Sequence, residues 1–166
     1  MIQLALYSSI ASPPDGAHLE RCVDETSAEA QLAESCGFDA MFFGEHHQDR
    51  DGFLPSPLIV STASEARTTR LKVGTSVLLL PLYHPVHVAE DVATLDIVSH
   101  GRMILGVGLG YQAADFAMFN VPQHERVGRF EESVEIIRHC WTGARFSYPG
   151  KYYQLHDVQM LPRPVQ

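Results

Sequence analysis

Short apolar runs alternate along the chain with longer stretches in which apolar residues recur every three or four positions. The clearest case is Leu71–Gly110. Leu71, Val73, Ser76–Leu80 and Met103–Gly108 read as strand segments bounded by Gly or Pro. Strands with little in–out alternation suit a parallel sheet covered by helices. Between them, His84–Val98 reads as a helix, with Pro85 in its first turn and Gly101 just past its end. Proline's missing N–H has no helical partner in a first turn, and glycine accepts positive φ at a stop.

The flanking regions repeat this unit. Ile2–Tyr7 predicts a first strand, and Ser8–His18, rich in Ser and Pro, a loop. Leu19–Ser35 predicts a helix stopped by Gly37, and Ala40–Phe43 a second strand. A polar loop, Gln48–Pro57, leads to a helix from Pro57 to about Ala66, with Ser56 as its cap. Tyr111–Pro122 reads as a long connection. His124–Trp141 predicts a fourth helix with Val127, Phe130, Val134, Ile137 and Trp141 on one stripe. Gly143–Val158 predicts a hairpin, Phe146–Tyr148 and Tyr152–Leu155 around a Pro149-Gly150 turn, and the prolines of the last residues predict an extended tail. Four βα units make half of an eight-stranded barrel or a small open sheet.

Composition narrows the class. The 166 residues are enough for one domain with a core, and 45% hydrophobic with 19% charged residues is ordinary for a globular protein. A net charge of −8 argues against nucleic acid or an anionic membrane as partner. Cys22, Cys36 and Cys140 are widely spaced and odd in number, which fits reduced thiols in a cytoplasmic protein. The start of the chain shows no secretory signal pattern, and no apolar run approaches a membrane span.

Parallel α/β folds gather chemistry where strands end. Strand two ends in Glu45-His46-His47, and a histidine there acts as acid or base near neutral pH, or bonds to a neighbouring loop. His84, His87 and Glu90 raise a metal reading, set aside because the chain has no HExxH pattern; no metal is expected. Gly106–Gly110 lets either a flat ligand or a packed neighbour approach the backbone, and it lacks the spacing of a nucleotide fingerprint. Arg126 and Arg129, in the first turns of helix four, either meet an anion or pair with Glu125 and Glu132. Asp96 and Arg102 read as a stabilising pair at the opposite end of the strands.

Three stretches together carry a resemblance: Gly44-Glu45-His46-His47, the run Val73–Arg102, and Leu105–Gly110 with Asp115-Phe116 downstream. The chain resembles the N-terminal half of the bacterial luciferase-like flavin monooxygenases. The resemblance implies an α/β fold, the N-terminal half of a TIM (β/α)8 barrel, with four parallel strands and helices plus a β-hairpin insertion at 144–158. Residues 1–166 would form one half-barrel domain, expected to be incomplete, from a fragment or alongside a partner half-barrel. Reduced FMN, or alternatively a deazaflavin, would bind at the strand ends, for oxygenation or hydride transfer on a small organic substrate; a flavin-free, non-catalytic subunit is the other alternative. His46 and Glu45 match the catalytic positions. Thr75, Ser76 and Val77 match a strand-three bulge, often with a non-proline cis peptide, on which the flavin ring rests. Gly108 and Leu109 match strand-four positions near ring and phosphate, although luciferases place an arginine at Leu109. Arg126 and Arg129 are the candidate phosphate contacts. The resemblance also implies a homodimer and admits a flavin reductase as partner.

Overall fold

A computed structural model describes residues 2–12 and 17–166. Residues 13–16 of the predicted Ser8–His18 loop lie outside the described residues. The element order is β1 Ala5–Ser8, α1 Leu19–Ser35, β2 Ala40–Phe43, α2 Pro57–Glu65, β3 Lys72–Thr75, β4 Leu78–Leu79, α3 Pro85–Val98, β5 Met103–Ile104, β6 Val107–Gly108, α4 Ala113–Met118, α5 Arg126–Thr142, β7 Phe146–Pro149 and β8 Gln154–Val158. The chain divides into two compact units, Met1–Leu78 with Val98–Val107, and Leu79–Ile97 with Gly108–Gln166.

The first unit is built on a parallel sheet in the order β1-β2-β3-β5. Ala5 pairs with Ala40, Ala40 with Lys72, and Val73 with Met103. Parallel neighbours require crossovers, and the helices of the alternating βα pattern supply them. Ala30, Ala33, Met41, Phe43, Val60, Leu71 and Val73 form a buried core, with Leu6, Phe38, Phe53 and Leu54 packed against it. Gly74 is required where β3 meets β5, because a side-chain carbon there would collide with the Ile104 carbonyl.

The first strand starts later than its apolar run predicts. Ile2 and Leu4 are exposed, and the Leu4 N–H donates to Asp39 Oδ2 at 2.9 Å. Ser56 makes no side-chain cap bond to α2. The predicted strands Ser76–Leu80 and Met103–Gly108 are each broken. The Ser76–Val77 peptide is cis. The Thr75 hydroxyl donates to the Gly106 carbonyl at 2.7 Å and accepts from the Gly106 N–H at 3.1 Å. A side chain takes the place of a ladder bond at that point and interrupts the pairing, which resumes where the Leu78 N–H donates to the Gly106 carbonyl at 2.9 Å.

One carboxylate organises the turn into β3. Glu34, near the end of α1, accepts the backbone N–H groups of Thr69, Arg70 and Leu71. Burial would raise its pKa, but these N–H bonds and the Arg70 charge outweigh burial and hold the carboxyl below its usual range. A lowered folded pKa gives stability that is present above the unfolded value and lost as pH falls through the folded one. Glu34→Gln is expected to cost about 2 kcal/mol near neutral pH, with the difference from wild type shrinking below about pH 4. Urea unfolding across that range checks this; a pH-independent difference refutes it.

The second unit packs α3, α4, α5 and the β7–β8 hairpin. Val88, Ala89, Val92, Ala93, Ile136, Ile137 and Cys140 are buried. Trp141 Nε1 donates to the Ala89 carbonyl at 3.1 Å, joining α5 to α3. The predicted α5 stripe is rotated by about one residue: Ser133, Ile136, Ile137 and Cys140 face inward, and Val127 is exposed. The Glu132 carboxylate accepts the N–H groups of Lys151, Tyr152 and Tyr153, which sets the hairpin turn one to three residues later than Pro149-Gly150. Arg129 is stacked on the same turn, and Gly128 leaves room for the Tyr152 ring. The tail is held by Asp96 Oδ2, which accepts from the Val165 and Gln166 N–H groups at 2.6 and 3.1 Å.

Among the described residues, no helix is long and apolar enough to cross a membrane.

Candidate functional site at the strand ends

Phe43, the last residue of β2, pairs with Thr75, the last of β3. The parallel register brings Gly44–His47 and Ser76–Val77 out side by side at one end of the first unit's sheet. The Ser76 N–H extends the pairing one step, donating to the Phe43 carbonyl at 2.7 Å. Tyr7, near the end of β1, pairs with Phe42 and lies half exposed with its hydroxyl against Gly44, where a side chain would not fit.

Alternate residues of an extended segment face opposite sides. Glu45 and His47 point inward and are buried, while the intervening His46 is 38% exposed. His47 Nε2 and Glu45 Oε1 are 2.8 Å apart. Glu45 is therefore held inside the unit by His47 rather than displayed at its surface. The His46 ring packs edge-on against Phe53, 4.8 Å between centroids at 68°, with Nδ1 3.7 Å from Asp49 Oδ2. Phe53 and Asp49 thus aim the exposed imidazole. His47 was not among the expected site residues; its two-residue spacing from Glu45 was the signal, since it puts both on one face.

At strand three the expected trio divides. Thr75 is buried and its hydroxyl is occupied by Gly106, whereas Ser76 and Val77 are exposed. The cis bond lies between these two, where the resemblance anticipates one. The exposed surface is a short polar–apolar shelf on a buried support, suited to the face of a flat ring.

In the second unit, Leu109 is 38% exposed and Gly110 turns with φ of 71° against the Phe116 ring. Arg126 Nη1 donates to the Gln123 carbonyl at 3.1 Å. Arg129 Nε donates to Glu125 Oε2 at 2.8 Å, and its guanidinium lies 5.5 and 5.8 Å from the Tyr152 and Tyr153 ring centres. Burial would lower its pKa, but the bonds to Glu125 and Tyr153 outweigh that and raise it. Arg129 acts as a clamp between helix and hairpin. Burial, helped by His87, lowers the His84 pKa. No group of three or more His, Cys, Asp or Glu among the described residues is placed to hold a metal ion.

A cleft of about 500 Å³ opens in the first unit between the end of β1 and α1, lined by Tyr7, Ser8, Ile10, Cys22, Glu25 and Glu29 among others. The Ser8 hydroxyl donates to Glu29 Oε2 across it at 2.6 Å. Burial, followed by Glu25 and Glu20, pushes the Cys22 thiol pKa up, which disfavours a reactive thiolate.

Comparison with known proteins covers nearly the whole chain. The family described as luciferase-like monooxygenase matches residues 4–166. The F420-dependent glucose-6-phosphate dehydrogenase of Kineococcus radiotolerans is 37% identical over 143 residues, 82% of this chain and 42% of that protein. Monooxygenase RslO1 from Streptomyces bottropensis superposes with a TM-score of 0.93 at 28% identity, over 99% of this chain and 50% of that one. The FMN complex of the oxygenating constituent of 3,6-diketocamphane monooxygenase from Pseudomonas putida superposes with a TM-score of 0.85 at 23% identity, covering 98% of this chain and 49% of that one. The chain thus spans about two-fifths of this curated relative and half of each solved structure.

Proposed function

This chain belongs to the luciferase-like monooxygenase family, and we propose that it carries the ring-side part of a flavin-dependent monooxygenase using reduced FMN and molecular oxygen on a small organic substrate. The observation that carries the reading is the pairing, at one sheet end, of the exposed Ser76–Val77 shelf with the aimed, partly exposed His46. A flavin ring needs a mostly apolar face with a few directed polar groups, and these residues fit that need.

The bound reduced flavin would supply the electrons that activate dioxygen. Within this reading, the exposed side chains of Ser76 and Val77 support the ring face. His46 holds or delivers a proton at the reacting edge, the role an imidazole performs near neutral pH. Glu45 acts through His47: it fixes the segment from inside, so that His46 leaves on the opposite side. Gly108, Leu109 and Arg126 are assigned cofactor contacts through the family resemblance. Arg129 joins them in that assignment, with Glu125 already on its guanidinium. A flavin reductase supplies the reduced cofactor.

A second reading, hydride transfer with the deazaflavin F420, is favoured by the F420-dependent relatives. Fluorescence titration with FMN and with F420 separates the two, followed by turnover under isotopically labelled dioxygen. FMN binding and label in the product support the first reading. Binding of F420 with none of FMN replaces it by the second, and binding of neither overturns both.

A further inference from the structure

Tyr7 stands one residue before the end of β1 and pairs with Phe42 of β2. Neighbours along a strand face opposite sides, and paired residues of adjacent strands share a side. Ser8 faces α1, where its hydroxyl donates to Glu29. Tyr7 faces the other way, and its phenol lies on Gly44. A side-chain carbon at Gly44 would collide with the Tyr7 hydroxyl, so this glycine keeps the place open for the phenol. Gly44 and His46 alternate with the inward pair Glu45 and His47. Phenol and exposed imidazole thus share one face of the strand ends.

A tyrosine hydroxyl that serves the fold is bonded within it. Tyr7 is 48% exposed, and no hydrogen bond to a described residue occupies its hydroxyl. Open volume lies beside it, because Tyr7 is a wall of the cleft of about 500 Å³. Ile10, Ala28 and Leu32 give that cleft apolar walls, and Glu25 and Glu29 give it acidic ones. Such walls favour a hydrocarbon body and disfavour an anion. β1 and β3 are second neighbours in the sheet, about 10 Å apart. A ring resting on Ser76 and Val77 leaves Tyr7 beyond it, across the strand end that carries His46.

We propose that Tyr7 is a substrate-positioning residue, whose phenol O–H donates to a carbonyl or hydroxyl oxygen of a neutral organic substrate on the His46 face of the strand ends. This names the substrate class for the oxygenase reading above and rests on that reading. A phenol O–H is a directed donor, and one fixed bond of this kind orients a reacting molecule that apolar walls alone would let turn.

The test uses Tyr7→Phe, which keeps the ring and removes the donor. Acetophenone, ethylbenzene and benzoate are titrated by ligand-observed NMR, FMN and F420 by fluorescence, and thermal unfolding is recorded. The acetophenone-to-ethylbenzene affinity ratio is expected to fall about fivefold in Tyr7→Phe. Wild type should bind acetophenone more tightly than benzoate. Affinity for FMN and the melting temperature should stay at wild-type values, because the hydroxyl serves neither cofactor nor fold. A ratio that changes less than about twofold overturns the proposal, as does wild type that binds no acetophenone or binds benzoate as tightly. A clear loss of FMN affinity in Tyr7→Phe overturns it in favour of a cofactor contact, and a clear fall in melting temperature in favour of a structural role. Wild type that binds neither FMN nor F420, with the ratio still falling in Tyr7→Phe, overturns the cofactor reading and leaves the Tyr7 contact standing.

Discussion

His46→Ala is expected to lower turnover by about a hundredfold or more while cofactor affinity stays within a few-fold. The asymmetry follows from the position of the ring. His46 is partly exposed, packs on Phe53 and lies near Asp49, so its removal leaves the buried face of the strand end intact. A shelf made by Ser76 and Val77 still supports the ring. What disappears is the one aimed imidazole of that pair of histidines that faces out. His47→Ala is the informative contrast. It removes the imidazole that lies 2.8 Å from the buried Glu45 carboxylate. That change is expected to lower stability by about 2–3 kcal/mol and to reduce activity through misplacement of the segment. Measured together, turnover, cofactor affinity and unfolding free energy assign the roles. If His46→Ala retains more than half of wild-type turnover, the proton role belongs elsewhere. If His47→Ala leaves stability unchanged, the inward pair is not holding the segment.

Much of this arrangement is legible in the amino-acid order. The βα alternation, α1, β2 and the Pro85-to-Gly101 frame of α3 are each marked by strong local signals: an apolar run of strand length, a proline that tolerates a first turn, a glycine that accepts φ of 82°. The breaks in the predicted strands are harder to read, because they depend on partners distant in sequence. Thr75 looks like any β-branched strand residue until its hydroxyl meets Gly106, thirty-one positions away. The six-residue α4 inside the predicted connection is too short for periodicity to show. The division of Glu45, His46 and His47 into inward and outward faces follows from strand alternation, but which face is inward depends on packing. Arg129 illustrates the same limit: the sequence offers an anion or a pairing with Glu125, and only the folded chain shows that Glu125 holds it, with two tyrosine rings beside it.

Arg102 is where the sequence reading and the fold part most instructively, and where the largest stability loss is expected. The spacing pairs it with Asp96. In the structure its five guanidinium N–H groups go elsewhere within the first unit: Nε to the Ser99 carbonyl at 2.7 Å, Nη1 to Thr68 Oγ1 at 3.0 Å and the Leu71 carbonyl at 2.7 Å, Nη2 to the carbonyls of Glu65 and Thr68 at 2.9 and 3.2 Å. One planar group thereby fastens the end of α2, the entry to β3 and the Ser99 turn that leads into β5. These anchors lie before the strands begin, at the end of the sheet opposite His46, where side chains serve stability rather than chemistry. Arg102→Ala would leave several part-buried carbonyls without their donor, and is expected to cost about 3–5 kcal/mol. Arg102→Lys should recover only part of this, because an ammonium is a point donor and cannot reproduce the planar fork. Cofactor affinity measured on the folded fraction should be nearly unchanged in both variants. A loss below about 1 kcal/mol for Arg102→Ala, or full recovery by Arg102→Lys, would show that the fork is dispensable and that the three elements are held by apolar packing instead.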